Sequence, residues 1–159
     1  VKNIIMLTGD TKQKAEMIAN ELGIDEVRAE LLPQDKAKIV KELMESGKKV
    51  AFVGDGINDA PALISAHVGI SMSRGADIAK ATADISLLKD DIMAVVEAKE
   101  YANKTMNLIN NNFNATVGIN SCILAGATFG IFSPIVTAVL HNGTTIGLLF
   151  NSIKGVNIK

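Results

Sequence analysis

The chain has no tryptophan, one tyrosine and one cysteine among its 159 residues. A single cysteine, Cys122, excludes an internal disulfide, and no N-terminal stretch has the zones of a signal peptide. The net charge of −1 leaves no electrostatic footprint for a nucleic acid. Internal repeats and low-complexity linkers are absent as well. The most telling absence is of charge itself. Residues 105–153 contain no Asp, Glu, Lys or Arg, whereas all 17 acids and every cation but Lys154 and Lys159 precede them. A charged part of ordinary soluble composition is followed by an uncharged one.

The densest chemistry lies at residues 54–63, Gly-Asp-Gly-Ile-Asn-Asp-Ala-Pro-Ala-Leu, directly after the apolar run 50–53. The run reads as a buried parallel strand, and its glycines let the backbone turn tightly beside a ligand. Asp55, Asn58 and Asp59 gather oxygen donors at the carboxyl end of that strand, which suits Mg²⁺ shared with a phosphate. A lone Gly-Asp-Gly would more often be a polar turn; ten such residues together favour the ligand loop. Two further segments point the same way. The strand at residues 4–7 ends in Thr8-Gly9-Asp10, where a phosphoryl group can meet a helix N-terminus, although Asp10 or Thr11 can equally serve there as a plain N-cap. Pro33 opens a helix over 36–46, with Lys36 in a first turn that the helix dipole makes unfavourable for a cation. That placement points to an anionic partner, against the commoner case of a solvated surface lysine.

Alternating patterns predict strands at 3–7, 26–29, 49–53, 68–71 and 84–87. Helices are predicted at 12–22 and 36–46, stopped by Gly23 and Gly47, and at 60–66 and 76–81. Such alternation implies an α/β fold, a parallel sheet with helices on both faces and the site at the strand carboxyl ends.

The uncharged part divides at Ser133-Pro134. As helices, 112–132 would span ~31 Å and 134–153 ~30 Å, each about the thickness of a bilayer core. This predicts an α-helical transmembrane hairpin, preceded by a helical stalk at 92–111. The other reading, a buried hairpin in a soluble domain, lacks a charged face to meet water. Lys99 and Lys104 before the hairpin and Lys154 and Lys159 after it place both ends in the cytoplasm. Gly118, Ala125, Gly126, Gly130 and Gly143 allow close helix packing. Polar residues are costly in lipid and so are of interest: Asn114, Thr145 and Asn151 are read as interhelical hydrogen-bonding residues and Cys122 as a packing residue. His141 is a candidate transition-metal ligand. His67 lies beside a core strand and reads as structural.

In this order and spacing, Thr8-Gly9-Asp10, Pro33-Gln34-Asp35-Lys36 and residues 54–63 closely resemble the TGD, PxxK and GDGxNDAPAL motifs of P-type ATPases. Those enzymes are a branch of the haloacid-dehalogenase-like phosphotransferases, and the resemblance covers roughly residues 3–91. It implies that Thr8 and Gly9 bind the transferred phosphoryl group and that Lys36 neutralises its charge. Asp55 would coordinate Mg²⁺, Asn58 would bond a phosphoryl oxygen, and Asp59 would organise the loop and the surroundings of the metal. Catalysis of this kind works by positioning and charge stabilisation.

The hairpin after the phosphorylation domain resembles the ending of the heavy-metal branch. His141-Asn142-Gly143-Thr144-Thr145 is similar to the HEGGT-like signature of its cobalt, iron and zinc group, with Asn142 in place of the Glu. The expected ligands of a transported ion are His141, with oxygen from Thr144 and Asn142, and nitrogen with neutral oxygen suits Zn²⁺, Co²⁺, Fe²⁺ or Mn²⁺ better than Cu⁺. The family's nucleophile, the Asp of DKTGT, occurs nowhere in the sequence. The expectation is therefore the C-terminal portion of a longer bacterial plasma-membrane ATPase, inactive by itself, whose missing N-terminal part binds most of the ATP. Its organisation would be phosphorylation domain at 1–91, stalk at 92–111 and membrane helices at 112–132 and 134–153. The alternatives are a soluble haloacid-dehalogenase-like phosphatase and a non-catalytic membrane-tethered module binding Mg²⁺ and phosphate.

Overall fold

Strand and helix alternate through the first 90 residues as the apolar runs predict. The computed structural model describes residues 2–55, 57–72 and 77–155, the side chains of Ile78 and Ala79 excepted. Gly56, Ala76 and Lys159, used in the reading of the sequence, lie outside the described residues. The chain divides into two compact units, Val1–Val95 and Val96–Lys159.

In the first unit the order is β1 (Ile5–Leu7), α1 (Lys12–Leu22), β2 (Glu26–Arg28), α2 (Pro33–Glu45) and β3 (Ala51–Gly54). A 3₁₀ turn (Ile57–Asp59), α3 (Ala60–Ser65), β4 (Val68–Ser71), α4 (Asp77–Thr82) and β5 (Ile85–Ser86) complete it. All pairing is parallel: Met6 is opposite Val27, Val53 opposite Ile70, and Ile70 opposite Ile85. One sheet is expected, but the strands form two ladders, β1–β2 and β3–β4–β5. Helix α1 connects β1 to its ladder partner and α3 connects β3 to its own, whereas α2 leads from β2 to β3 with no ladder between them among the described residues.

The helix ends follow local chemistry. Gly23 (φ 66°) and Gly47 (φ 82°) adopt the left-handed conformation that side chains disfavour. Beyond them, Ile24 N–H bonds Ala19 O at 2.9 Å and Lys48 N–H bonds Leu43 O at 3.2 Å, closing both helices with a Schellman motif. Helix α2 starts three residues earlier than predicted. Pro33 occupies its first turn, and Asp35 Oδ2 accepts the Leu32 N–H at 3.0 Å, satisfying a donor the helix cannot. Ala15, Ala19, Val40, Ala62, Leu63 and Ile70 are buried; covering a side chain the size of Val40 or Leu63 contributes ~1.5–3 kcal/mol.

The second unit is made by α5 (Met93–Thr128), which begins just ahead of it, and α6 (Pro134–Gly155). The sequence reading separates a stalk at 92–111 from a helix at 112–132; the structure has one uninterrupted helix, shorter at its end. It stops at Thr128 because Gly130 turns the chain at φ 72° and Ile131 N–H bonds Gly126 O at 2.9 Å. The Phe132 ring then lies where a Cβ on Gly126 would have to be. Among the described residues no helix is long and apolar enough to cross a membrane. The asparagines of α5 and the run from His141 to Thr145 in α6 lower the mean hydropathy of stretches that carry no charge.

Candidate functional site

The loop after β3 and the first turn of α2 meet in one ion pair. Lys36 Nζ lies 2.7 Å from Asp59 Oδ1, and the two side chains retain only 14% and 12% of their exposure. Asp59 ends the 3₁₀ turn, 23 residues along the chain from Lys36. The cation that the α2 dipole disfavours thus has an internal anionic partner. Gly54 makes the approach possible, since a Cβ there would come within 2.7 Å of Asp59 Cβ. A charge held this far from water depends strongly on its partner.

The Thr8-Gly9-Asp10 loop leaves the carboxyl end of β1 and passes close to the start of α2. Leu31 N–H bonds Thr8 O at 3.1 Å, and Leu31 precedes Leu32, which caps α2. Asp10 N–H donates to Thr8 Oγ1 at 3.1 Å and Lys14 Nζ donates to Asp10 Oδ1 at 3.0 Å. The Lys14 hydrogen bond and charge, helped by the Thr8 hydroxyl, hold the Asp10 carboxyl below its ordinary pKa. Thr11 is the N-cap of α1 but bonds no backbone N–H with its side chain.

Asp55 and Asn58 are exposed beside the buried Asp59. Lys36 and Asp59 are in direct contact, while Thr8 follows the carboxyl end of β1 and Asp55 and Asn58 follow that of β3, none of them bonded to that pair among the described residues. The described residues contain no group of three His, Cys, Asp or Glu able to hold a metal by themselves. Asp59 is committed to Lys36, so Asp55 is the available carboxylate, and Mg²⁺ is commonly bound through one or two carboxylates, water and substrate phosphate.

Polar side chains also gather in the second unit. Asn112 Nδ2 donates to Ser152 Oγ at 2.7 Å, and Asn151 Nδ2 donates to Asn112 Oδ1 at 2.7 Å. His141 Nδ1 lies 3.1 Å from Asn120 Oδ1. On α6, Thr137, Thr144, Leu148 and Ser152 are half-buried, and His141 falls in the same helical stripe. The outer faces carry the apolar side chains: Ile135, Val139, Leu149, Phe113 and Leu124 are all exposed. Asn151 does bond across to α5, as read from the sequence. Thr145 does not: its hydroxyl donates to His141 O of its own helix at 3.1 Å, because a threonine hydroxyl easily reaches the carbonyl four residues back. Thr144 Oγ1 and Asn142 Nδ2 donate to Leu140 O and Ala138 O in the same manner, so neither is drawn toward the His141 ring. Asn112 and Ser152, missed in the sequence, could have been found from their place on the facing stripes. His67 Nδ1 accepts the Val50 N–H at 3.3 Å, in keeping with a structural role.

A family model of haloacid dehalogenase-like hydrolases matches residues 1–67. The zinc-exporting P-type ATPase of Mycobacterium marinum is 40% identical over 155 residues, which is 97% of this chain and 21% of that protein. The manganese-exporting P-type ATPase of Mycobacterium leprae is 41% identical over the same shares. This chain is a homologue of the heavy-metal P-type ATPases. Copper-transporting P-type ATPases are among its relatives too. The crystal structure of a zinc-transporting ATPase of this kind, in its E2.Pi state, matches with a TM-score of 0.89 and 35% identity, over 96% of this chain and 25% of that one. The first unit therefore has the haloacid-dehalogenase-like fold. The chain spans about a fifth of the length of the curated P-type ATPases it matches.

Proposed function

We propose that this chain completes the phosphorylation domain of a heavy-metal P-type ATPase and supplies two helices of its membrane domain. The whole protein would export a transition-metal ion, driven by ATP through an aspartyl phosphate. The observation that carries this reading is the Lys36–Asp59 pair, which joins the PxxK and GDGxNDAPAL segments at one place. Thr8 and Gly9 bind the phosphoryl group, Asn58 bonds one of its oxygens, and Lys36 offsets its charge. Asp59 keeps Lys36 in place, and Asp55 is the carboxylate that holds Mg²⁺. When bound, Mg²⁺ neutralises charge on the phosphoryl oxygens during transfer. The nucleophilic aspartate and most of the ATP site belong to the remainder of the protein, so the chain alone is inactive.

Membrane embedding is supported by the layout of the hairpin. Asn112, Asn120, His141, Asn151 and Ser152 bond across the seam, and large apolar side chains such as Ile135, Val139, Leu149, Phe113 and Leu124 face outward, where a water-soluble protein would place charge. In a multi-helix bundle such a hairpin needs less apolar character than a lone spanning helix, because the seam does not face lipid. The flanking Lys99, Lys104 and Lys154 put both ends on the cytoplasmic side of a bacterial plasma membrane. His141, with Asn142 and Thr144, is the assigned cargo site. Imidazole nitrogen with neutral oxygen suits Zn²⁺, Mn²⁺, Co²⁺ or Fe²⁺ better than Cu⁺.

Acid-quenched labelling of the full-length protein with radioactive ATP tests the catalytic part. Asp55→Asn and Lys36→Ala should each lower phosphoenzyme formation about 100-fold; normal labelling of Asp55→Asn would remove the Mg²⁺ assignment. Cys122, the one cysteine of the chain, tests embedding. A membrane-impermeant maleimide should react with it only after detergent is added to sealed vesicles, whereas free reaction favours a soluble phosphatase.

A further inference from the structure

The two histidines of this chain use the same ring atom in opposite ways. His67 Nδ1 faces the Val50 N–H at 3.3 Å, so Nδ1 carries the lone pair and a neutral ring keeps its proton on Nε2. His141 Nδ1 faces Asn120 Oδ1 at 3.1 Å across the hairpin. With its oxygen turned toward the ring, the Asn120 amide accepts a hydrogen bond, and the neutral His141 ring donates it from Nδ1. The lone pair is then on Nε2, which makes no hydrogen bond among the described residues. His141 also lines a cleft of about 540 Å³ with Thr137, Ala138, Ala127 and Phe132, so the ring adjoins open space.

We propose that Asn120 is a positioning residue that locks neutral His141 in the Nδ1–H tautomer, reserving Nε2 for a divalent transition-metal cation. The cation arm rests on the cargo role of His141 proposed above; the tautomer does not. A hydrogen bond to the far nitrogen of a metal-binding imidazole fixes both which nitrogen is free and how the ring is turned. Asn120 does this without a charge. It therefore orients the ring without placing an anionic group inside an uncharged hairpin.

Nitrogen-15 spectra of the full 159-residue chain in lipid bilayers at pH 8 provide the test, because its two histidines give separate tautomer patterns. In the metal-free chain His67 should appear as Nε2–H and His141 as Nδ1–H. Asn120→Leu should release His141 toward Nε2–H, and Asn120→Asp, which keeps an acceptor oxygen, should restore Nδ1–H. The His67 pattern in each spectrum reports whether the first unit is folded, and Asn120→Ala replaces the leucine variant if that one misfolds. Nε2–H at His141 in the parent chain, or Nδ1–H surviving in Asn120→Leu, overturns the proposal. Added Zn²⁺ should perturb Nε2 of His141 in the parent chain, with an affinity about 10–100-fold weaker in Asn120→Leu. Zn²⁺ on Nδ1 also overturns it. If Zn²⁺ leaves a locked His141 ring unperturbed, the cargo role fails while the metal-free spectra still decide the tautomer.

Discussion

The two units of this chain are built on opposite rules. In the first, apolar side chains such as Val40, Leu63 and Ile70 are buried, and most charges lie in water. In the second, only Ile123 and Gly126 are buried among the described residues, the outer faces are apolar, and the hydrogen bonds between helices come from Asn112, Asn120, His141, Asn151 and Ser152. The first unit is held by transfer of apolar surface out of water. The second has little of that to gain, so contact between its helices depends on small residues and polar pairs. The first unit also contains an exception that fits the proposed function, the largely buried Lys36–Asp59 ion pair.

The sharpest break in this contrast is the ion pair. Asp59→Ala leaves Lys36 charged, mostly buried and alone, and should cost about 3 kcal/mol in the denaturation free energy of the first unit. Urea unfolding followed by circular dichroism measures it. A loss below about 1 kcal/mol would mean that water reaches the pair freely.

Matched leucine truncations compare the two units directly. Leu63 is 1% exposed, and Leu63→Ala should cost about 3 kcal/mol by transfer and cavity terms together. Leu124 is 69% exposed, and Leu124→Ala should change the stability of the chain in detergent by less than about 0.5 kcal/mol. Equal losses would show that the outer face of α5 packs against protein. At the seam, Asn112→Ala removes the partner of both Asn151 and Ser152 and should cost about 1 kcal/mol in bilayers. Faster hydrogen exchange around residues 108–116 and 148–155, with the first unit unchanged, is the expected signature.

The smallest effect concerns Asp10. Lys14 depresses its pKa in the folded state, so the associated stabilisation is present above the ordinary carboxylate value of about 3.9 and fades as pH falls through the lowered one. Lys14→Met should move the Asp10 midpoint upward in a carboxyl carbon-13 titration. An unmoved midpoint would assign the shift to Thr8 instead.

Much of the first unit was legible in the sequence because its signals are local. Apolar runs of four or five residues, glycines at helix ends and Pro33 at a helix start located all five strands and the first four helices to within a few residues. The TGD, PxxK and GDGxNDAPAL segments were legible for the same reason, since each is a short contiguous string. In the second unit, lack of charge located both helices but left the end of α5 four residues too long, because the apolar run continues unchanged through the left-handed turn at Gly130.

By itself, then, the sequence determined the elements, their order, the TGD, PxxK and GDGxNDAPAL strings and the uncharged character of the last two helices. Tertiary structure alone decided which of those parts meet. Lys36 finds Asp59 across 23 residues, Asn120 finds His141 across 21, and the strands fall into two ladders rather than one. Local pattern reports the conformation that a segment prefers, whereas a pairing between distant side chains depends on how whole helices rotate and approach. The same limit applies to the ring of His141: no neighbour in the chain sets its tautomer, and the carbonyl that faces it comes from another helix.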